Sequence, residues 1–235
     1  MRYVIKFSKE SEIKFISHLD LMRTIQRIVR RANLPAEYSK GFNPHMNLSL
    51  AQPLPVGIYS KGEYLDLVLT EEMEEEEIKC RLNENAPSGI RFSGVIKVPA
   101  AAEGEKKVGQ IMALLDAAAY RVKIQYDNTS SLEGELDLLL KSQAWNTVKK
   151  SKSGEKEVDI KPLIKEFKYS IAGNTMVIEA LLACGSRENL SPELFSEYIG
   201  ANTSGVKKDS FVEIMREEMY TVEGKDFVSI NSYLI

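Results

Sequence analysis

The chain has 235 residues, 43% hydrophobic and 28% charged, a composition that buries a core and excludes disordered and collagen-like classes. Its 31 Lys and Arg against 34 Asp and Glu leave a net charge of -3, so nucleic-acid or membrane binding has to be argued from local patches. The two cysteines, Cys80 and Cys184, cannot build a three-cysteine iron–sulfur site or staple a secreted domain, which points to a cytoplasmic protein.

The amino-terminal stretch puts Tyr3, Ile5 and Phe7 on one face of a strand and does not read as a signal peptide. Nowhere does an apolar run approach the roughly 18 residues that span a bilayer. Ser17 caps the helix that follows, Asp20 holds the capping-box position, and Asn33-Leu34-Pro35 ends it. Along it, Leu21, Met22, Ile25, Ile28, Val29 and Ala32 form an apolar stripe that packs on the sheet. A turn-rich stretch from Lys40 to His45 leads into alternating Met46 to Ala51, and a further strand is expected in Tyr64 to Leu69. The acidic run Glu71 to Glu77 opens a second helix through Leu82, its glutamates favoured at the positive end of the helix dipole. Ile90 to Val98 reads as a fourth strand. This order is that of a ferredoxin-like split βαβ unit, giving a first domain over residues 1–98 and a linker over 99–110.

Residues 111–235 repeat the theme, so the expected class is α+β, two ferredoxin-like domains in tandem with antiparallel sheets. Strands are expected in Tyr120 to Tyr126, Trp145 to Lys150, Lys156 to Ile160, Phe167 to Ile171 and Met176 to Cys184, with Gly173-Asn174 as a turn. Leu132 to Leu140 suggests a helix. Ser191-Pro192-Glu193 is a second strong helix start, with Leu190 placed to staple to Phe195. A last strand is expected in Phe211 to Val222, where Ile214 to Met219 also fits a helix.

The first helix carries the most informative polar face, because Arg23, Arg27, Arg30 and Arg31 recur at spacings of four, three and one. Residues 1–47 carry a balance of +5 and residues 62–86 a balance of -7. Guanidinium groups at this pitch match phosphates through bidentate hydrogen bonds. The competing interpretation is a solvated face whose arginines pair with the acidic helix. Both histidines, His18 and His45, fall in this half, and a pair of imidazoles is what a metal-independent ribonuclease uses as acid and base. Asp20 and Asp66 could be recruited beside them, but no zinc or iron ligand spacing is present, so no metal or cofactor is expected. Lys40-Gly41-Phe42 matches the start of an RNA-recognition octamer, but Pro44 breaks the strand that motif needs. Lys149, Lys150, Lys152 and Lys156 suggest a solvated hairpin tip.

The stretch Phe15–Arg23, continuing through Arg30–Pro35 and Tyr38–His45, with Pro53–Gly57 and Gly62–Asp66, closely resembles the bacterial radical-SAM-linked protein family. That family is a domain of unknown function that looks like a companion to, or a fused tail of, cobalamin-binding radical SAM proteins. The resemblance implies a neighbourhood of ribonuclease and ribosomal-protein genes, hence RNA metabolism. Lacking the radical SAM cysteine triad, this chain would be the stand-alone companion. The strand followed by the Ser17-His18-Leu19-Asp20 helix is more distantly similar to the ferredoxin-like RNA-processing proteins of CRISPR systems, although their glycine-rich loop has no counterpart here. Three functions follow as expectations. The first is a non-enzymatic RNA-binding or RNA-modification accessory protein, with Arg23, Arg27, Arg30, Arg31 and Lys40 on phosphates and Tyr38, Phe42 and Asn43 on bases. The second is a protein adaptor for a radical SAM enzyme without RNA contact. The third is a metal-independent endoribonuclease using His18 and His45.

Overall fold

The computed structural model describes residues 1–99, 108–151 and 154–235. Two compact units emerge, Met1–Leu115 with Glu218–Ile235, and Asp116–Glu217. In chain order the elements are β1 (Arg2–Lys9), α1 (His18–Arg31), β2 (Leu48–Leu50), β3 (Tyr59–Val68), α2 (Glu75–Glu84), β4 (Ile90–Lys97), α3 (Ile111–Leu114), β5 (Ala117–Gln125) and α4 (Leu132–Lys141). They continue with β6 (Asn146–Ser151), β7 (Gly154–Asp159), β8 (Ile164–Ala172), β9 (Thr175–Ala183), α5 (Pro192–Ala201), β10 (Glu213–Glu223), β11 (Asp226–Ser229) and α6 (Ile230–Leu234). The chain is thus mixed α+β, and every strand pairing with a defined register is antiparallel.

In the first unit β1 lies between β3 and β4, and β2 pairs with β3. The two-residue period of the strands sorts their side chains. Tyr3, Ile5 and Phe7 of β1, Leu65 and Leu67 of β3 and Phe92 of β4 form one core with Leu21, Ile25, Ile28 and Val29 of α1 and Ile78 and Leu82 of α2. The stripe read from the sequence is therefore the buried face of α1, with Met22 only partly buried against the core.

Register sends the next residues along each strand, Lys6 opposite Tyr64 and Val4 opposite Asp66, to the other face. The unit's own chain covers that face. Arg2 bonds Asp66 through Nε (2.8 Å) and donates to the carbonyls of Val108 (2.6 Å) and Gly109 (2.5 Å). Asp66 accepts in addition from the Ile111 backbone N–H at 2.8 Å. Further along, Glu218 of β10 accepts from Lys6 (2.5 Å) and from the Tyr64 hydroxyl (2.7 Å). Asn231 of α6 lies over Gly94, 3.6 Å from where a Cβ would stand.

These contacts explain several departures from the sequence reading. The units do not follow a cut at residue 98 with everything after 110 in a second domain. Arg2 and Asp66 hold residues 108–111 in the first unit, and Glu218 returns there from the far end of the chain. Of the expected linker, residues 100–107 lie outside the described residues. β2 is only three residues long, and β3 begins at Tyr59, five residues before the expected Tyr64, because β1 continues past a bulge to pair Lys9 with Ser60. The Ile214 to Met219 stretch is strand, with Tyr220 to Glu223 paired onto β11. Neither β11 nor α6 was anticipated, although the turn glycine Gly224, at φ +64°, is a legible hairpin signal.

In the second unit the strand order is β10, β5, β9, β8, and β6–β7 form a separate hairpin. Ser191 caps α5 by accepting from Leu194 N–H, Pro192 occupies the first helical position, and Gly173 takes the positive φ of the β8–β9 turn, all as the sequence implies. Leu132 and Leu136 of α4 and Phe195 and Ile199 of α5 are fully buried. Lys152 of the anticipated basic tip lies outside the described residues.

Candidate functional site

α1 is positioned from both ends. Ser17 Oγ accepts from Asp20 N–H at 3.2 Å and donates to the Asp20 carboxylate at 2.7 Å. That hydroxyl and, after it, the Arg23 guanidinium hold the Asp20 carboxyl below its ordinary range. At the other end Asn33 adopts a left-handed φ of +50° and Leu34 N–H returns to Val29 O. Arg30 and Arg31 occupy the last turn, where the helix dipole favours cations.

With the apolar stripe packed inward, Arg23, Arg27, Arg30 and Arg31 are all exposed. Arg23 pairs with Asp20 at 3.2 Å. Among the described residues, Arg27, Arg30 and Arg31 have no carboxylate within 4.0 Å. The glutamates of the acidic segment do not neutralise them. Glu76 takes Lys79 at 2.6 Å, Glu77 takes Arg81 at 2.5 Å, and Glu72 takes Lys97. Cations elsewhere are spent locally: in the second unit Arg121 meets Glu179 (2.9 Å) and Glu217 (3.2 Å), and Lys123 meets Glu213 (3.0 Å).

The aromatic candidates lie on a closed loop that starts within seven residues of the end of α1. An antiparallel bridge joins Tyr38 to Met46, Ser39 N–H donates to His45 O at 2.8 Å, and His45 N–H donates to Ser39 Oγ at 2.9 Å. Gly41 sits at φ +127° with open space around it, so conformation and not crowding requires glycine there. Phe42 is fully exposed at the tip, Tyr38 is 42% exposed, and Lys40, Asn43 and His45 are exposed. The Lys40-Gly41-Phe42 triplet lies in this loop and not in a strand, as Pro44 demands.

His18 sits in the first turn of α1 and His45 at the end of the loop, and among the described residues no hydrogen bond links them. His18 Nδ1 is buried with no partner among the described residues. Burial lowers the His18 pKa, favouring the neutral ring in the folded state. The unfolded chain binds the proton at the ordinary value of about 6.5, so this contribution to stability is present above that pH and is lost as pH falls through the lower folded value. The melting temperature is expected to fall on acidification below about pH 6.5, and less steeply in His18→Gln. Equal slopes for both proteins in a melting series would refute the assignment to His18.

Among the described residues no group of three or more His, Cys, Asp or Glu side chains gathers as a metal would require. Asp20 is engaged as a cap and Asp66 by Arg2 and Ile111. Cys80 is exposed and donates to Glu84 Oε1 at 3.4 Å, which raises its pKa, while Cys184 is buried. No helix of the described residues is long and apolar enough to cross a membrane.

Sequence reasoning missed two features. Phe15, Leu19 and Val56 are 65%, 62% and 57% exposed around the start of α1, where Gly57 N–H donates to Lys14 O and the Lys14 ammonium lies 5.3 Å from the Phe15 ring centroid. Helical spacing could have found Leu19, which continues the exposed line of Arg23 and Arg27 by one turn. The second feature is a cleft of about 340 Å³ at Arg2 and Asp66, whose walls come from β2, β3 and the segment before α3.

Residues 2–192 match a family model described as "Uncharacterized protein conserved in bacteria (DUF2344)". No curated protein matches the chain. Among solved structures, a chain of a Cbf5-Nop10-Gar1 complex is similar at TM-score 0.50 and 10% identity, over 92% of this chain and 48% of that one. This chain therefore spans about half the length of that structure, and the likeness is one of fold. An unknown protein from Galdieria sulphuraria aligns over 97% of this chain and 98% of its own at 12% identity, with a TM-score of 0.25 that bears no weight.

Proposed function

The chain belongs to this uncharacterised bacterial family, and we propose that it is an RNA-binding or RNA-modification accessory protein of the cytoplasm without catalysis of its own. The carrying observation is that Arg27, Arg30 and Arg31 stand exposed, with no carboxylate within 4.0 Å among the described residues, on a helix followed directly by a loop with a fully exposed Phe42. Unpaired guanidinium groups are available to phosphates. An aromatic ring held away from any core offers a stacking platform to an unpaired base. Two ferredoxin-like units would carry this surface. In support, both strand orders, β4-β1-β3-β2 and β10-β5-β9-β8, place the unit's first strand between its last and its third.

The test is retention of cellular RNA by the wild type and by an Arg23→Ala, Arg27→Ala, Arg30→Ala variant across a salt series. Loss of three phosphate contacts is expected to weaken binding about thirtyfold or more and to make the log–log salt slope shallower by about 2. No retention by the wild type even at low salt, or retention unaltered in the variant, would refute the reading.

The exposed Phe15, Leu19 and Val56 favour a second reading, an adaptor for a cobalamin-binding radical SAM protein, since contiguous exposed apolar side chains mark protein contacts. That reading requires a stoichiometric complex weakened by Leu19→Asp.

A further inference from the structure

We propose that the cleft at Arg2 and Asp66 is a pocket for a single neutral nucleobase, presented by the bound strand or as a free nucleoside. The proposal rests on the RNA reading for the strand-borne base and goes beyond it in naming a recognition pocket away from α1.

Four observations carry it. The first is place: Met46, which lines the cleft, is one half of the bridge to Tyr38 that closes the Phe42 loop. The loop and the cleft therefore share a residue. The second is size. About 340 Å³ lies at the lower end of small-molecule sites, which suits one heterocycle and not a larger cofactor.

The third is charge. Arg2 is the cation at the cleft, and each of its three nitrogens donates once, to Asp66, Val108 O and Gly109 O, while both Asp66 oxygens are engaged. A floor made of a neutralised pair gives a phosphate no unpaired cation and favours an uncharged, polar-edged guest. The fourth is the distribution of unused polar groups. Ser49 stands beside Asp66 in the β2–β3 register, and its hydroxyl has no partner among the described residues. Asn47 donates through Nδ2 to Glu37 at 2.6 Å, which turns its carbonyl into the available acceptor. Gln110 precedes α3 without capping it, leaving a full amide at the rim. One hydroxyl, one acceptor and one amide beside the Val68 side chain offer a base a polar edge reader with one apolar contact, while Met46 and Leu48 turn their side chains to the core on the α1 side.

The experiment measures binding of short oligo(A), oligo(C) and oligo(U) by fluorescence anisotropy to the wild type, to Ser49→Leu, which fills the cleft, and to Gln110→Ala, which removes a rim amide without touching a strand. Circular dichroism confirms that each variant is folded. The wild type is expected to prefer one base by about tenfold. Both variants are expected to lose that preference while keeping their affinity for the least favoured strand, because α1 is untouched. A preference retained in both variants overturns the pocket, as does equal binding of all three strands by the wild type, and either result leaves the RNA reading standing. If no strand binds, the RNA reading fails and the pocket is judged alone, by titrating adenosine, cytidine and uridine while following the Ser49 and Gln110 amide resonances. Shifts confined to those residues then support a free-nucleoside site, and unmoved resonances overturn it.

Discussion

Replacing Trp145 by Ala is expected to destabilise the second unit by about 4 kcal/mol, the usual scale for truncating a fully buried large aromatic. Trp145 is 1% exposed. Its ring stacks on Tyr198 of α5 at 5.2 Å and 19°, and meets Phe167 of β8 edge-on at 6.3 Å and 83°. The indole N–H donates to Leu139 O at 3.0 Å, at the end of α4. The backbone is engaged as well: Trp145 N–H donates to Asp159 Oδ1, and Ile160 N–H donates to Trp145 O. One side chain thus joins α4, α5 and β8 at the root of the β6–β7 hairpin. Trp145→Phe preserves the ring contacts and removes only the indole donor from Leu139 O, which also accepts from Ser142 N–H and Ser142 Oγ, so a loss of about 1 kcal/mol is expected. Hydrogen exchange in β5 and β9 under mild urea reads the unit directly. Unchanged protection in Trp145→Ala would show that the hairpin root contributes little to it.

What was legible in the sequence is what short-range physics decides. The cap at Ser17, the stripe from Leu21 to Ala32 and the stop at Asn33 lie in one continuous stretch, each a signal carried by neighbouring residues, so position alone identifies α1 and leaves its arginines on the outer face. The same holds for Ser191-Pro192 and the turn at Gly173. The closure of the Phe42 loop depends on Ser39 meeting His45, and the turn residues signal a loop there without revealing its shape.

The rest was hidden because it is non-local. Arg2 meets its partners 64 and 106 positions away, and Lys6 meets Glu218 across 212. No periodicity encodes such a pairing. This is why the unit boundaries escaped a reading that expects each domain to be one continuous segment, and why the nucleobase cleft, assembled from β2, β3 and residue 110, had no signature in any one of them.

The Arg2–Asp66 pair is the contact on which that cleft depends, and Asp66→Ala is expected to cost about 3 kcal/mol. Asp66 is 4% exposed, and its removal strands two groups at once. Arg2 loses the partner of Nε, and the Ile111 N–H is left without an acceptor in a buried position. Arg2→Ala alone is expected to cost as much, about 3 kcal/mol, because the carbonyls of Val108 and Gly109 recover water but the carboxylate of Asp66, its side chain only 6% exposed, is left without its counter-charge. The two effects do not add. Once Asp66 is gone, the Arg2 guanidinium is partly buried beside no counter-charge, so removing it as well returns part of the loss, and a coupling of about 1–2 kcal/mol is expected in the double-mutant cycle. The same substitution frees residues 108–111 from the sheet, so amide exchange at Ile111 should accelerate ahead of the β1–β3 core. Additive effects with Ile111 still protected would mean that this segment is held by the burial of Ile111 and Leu115 alone, and that the floor of the cleft does not need its charged pair.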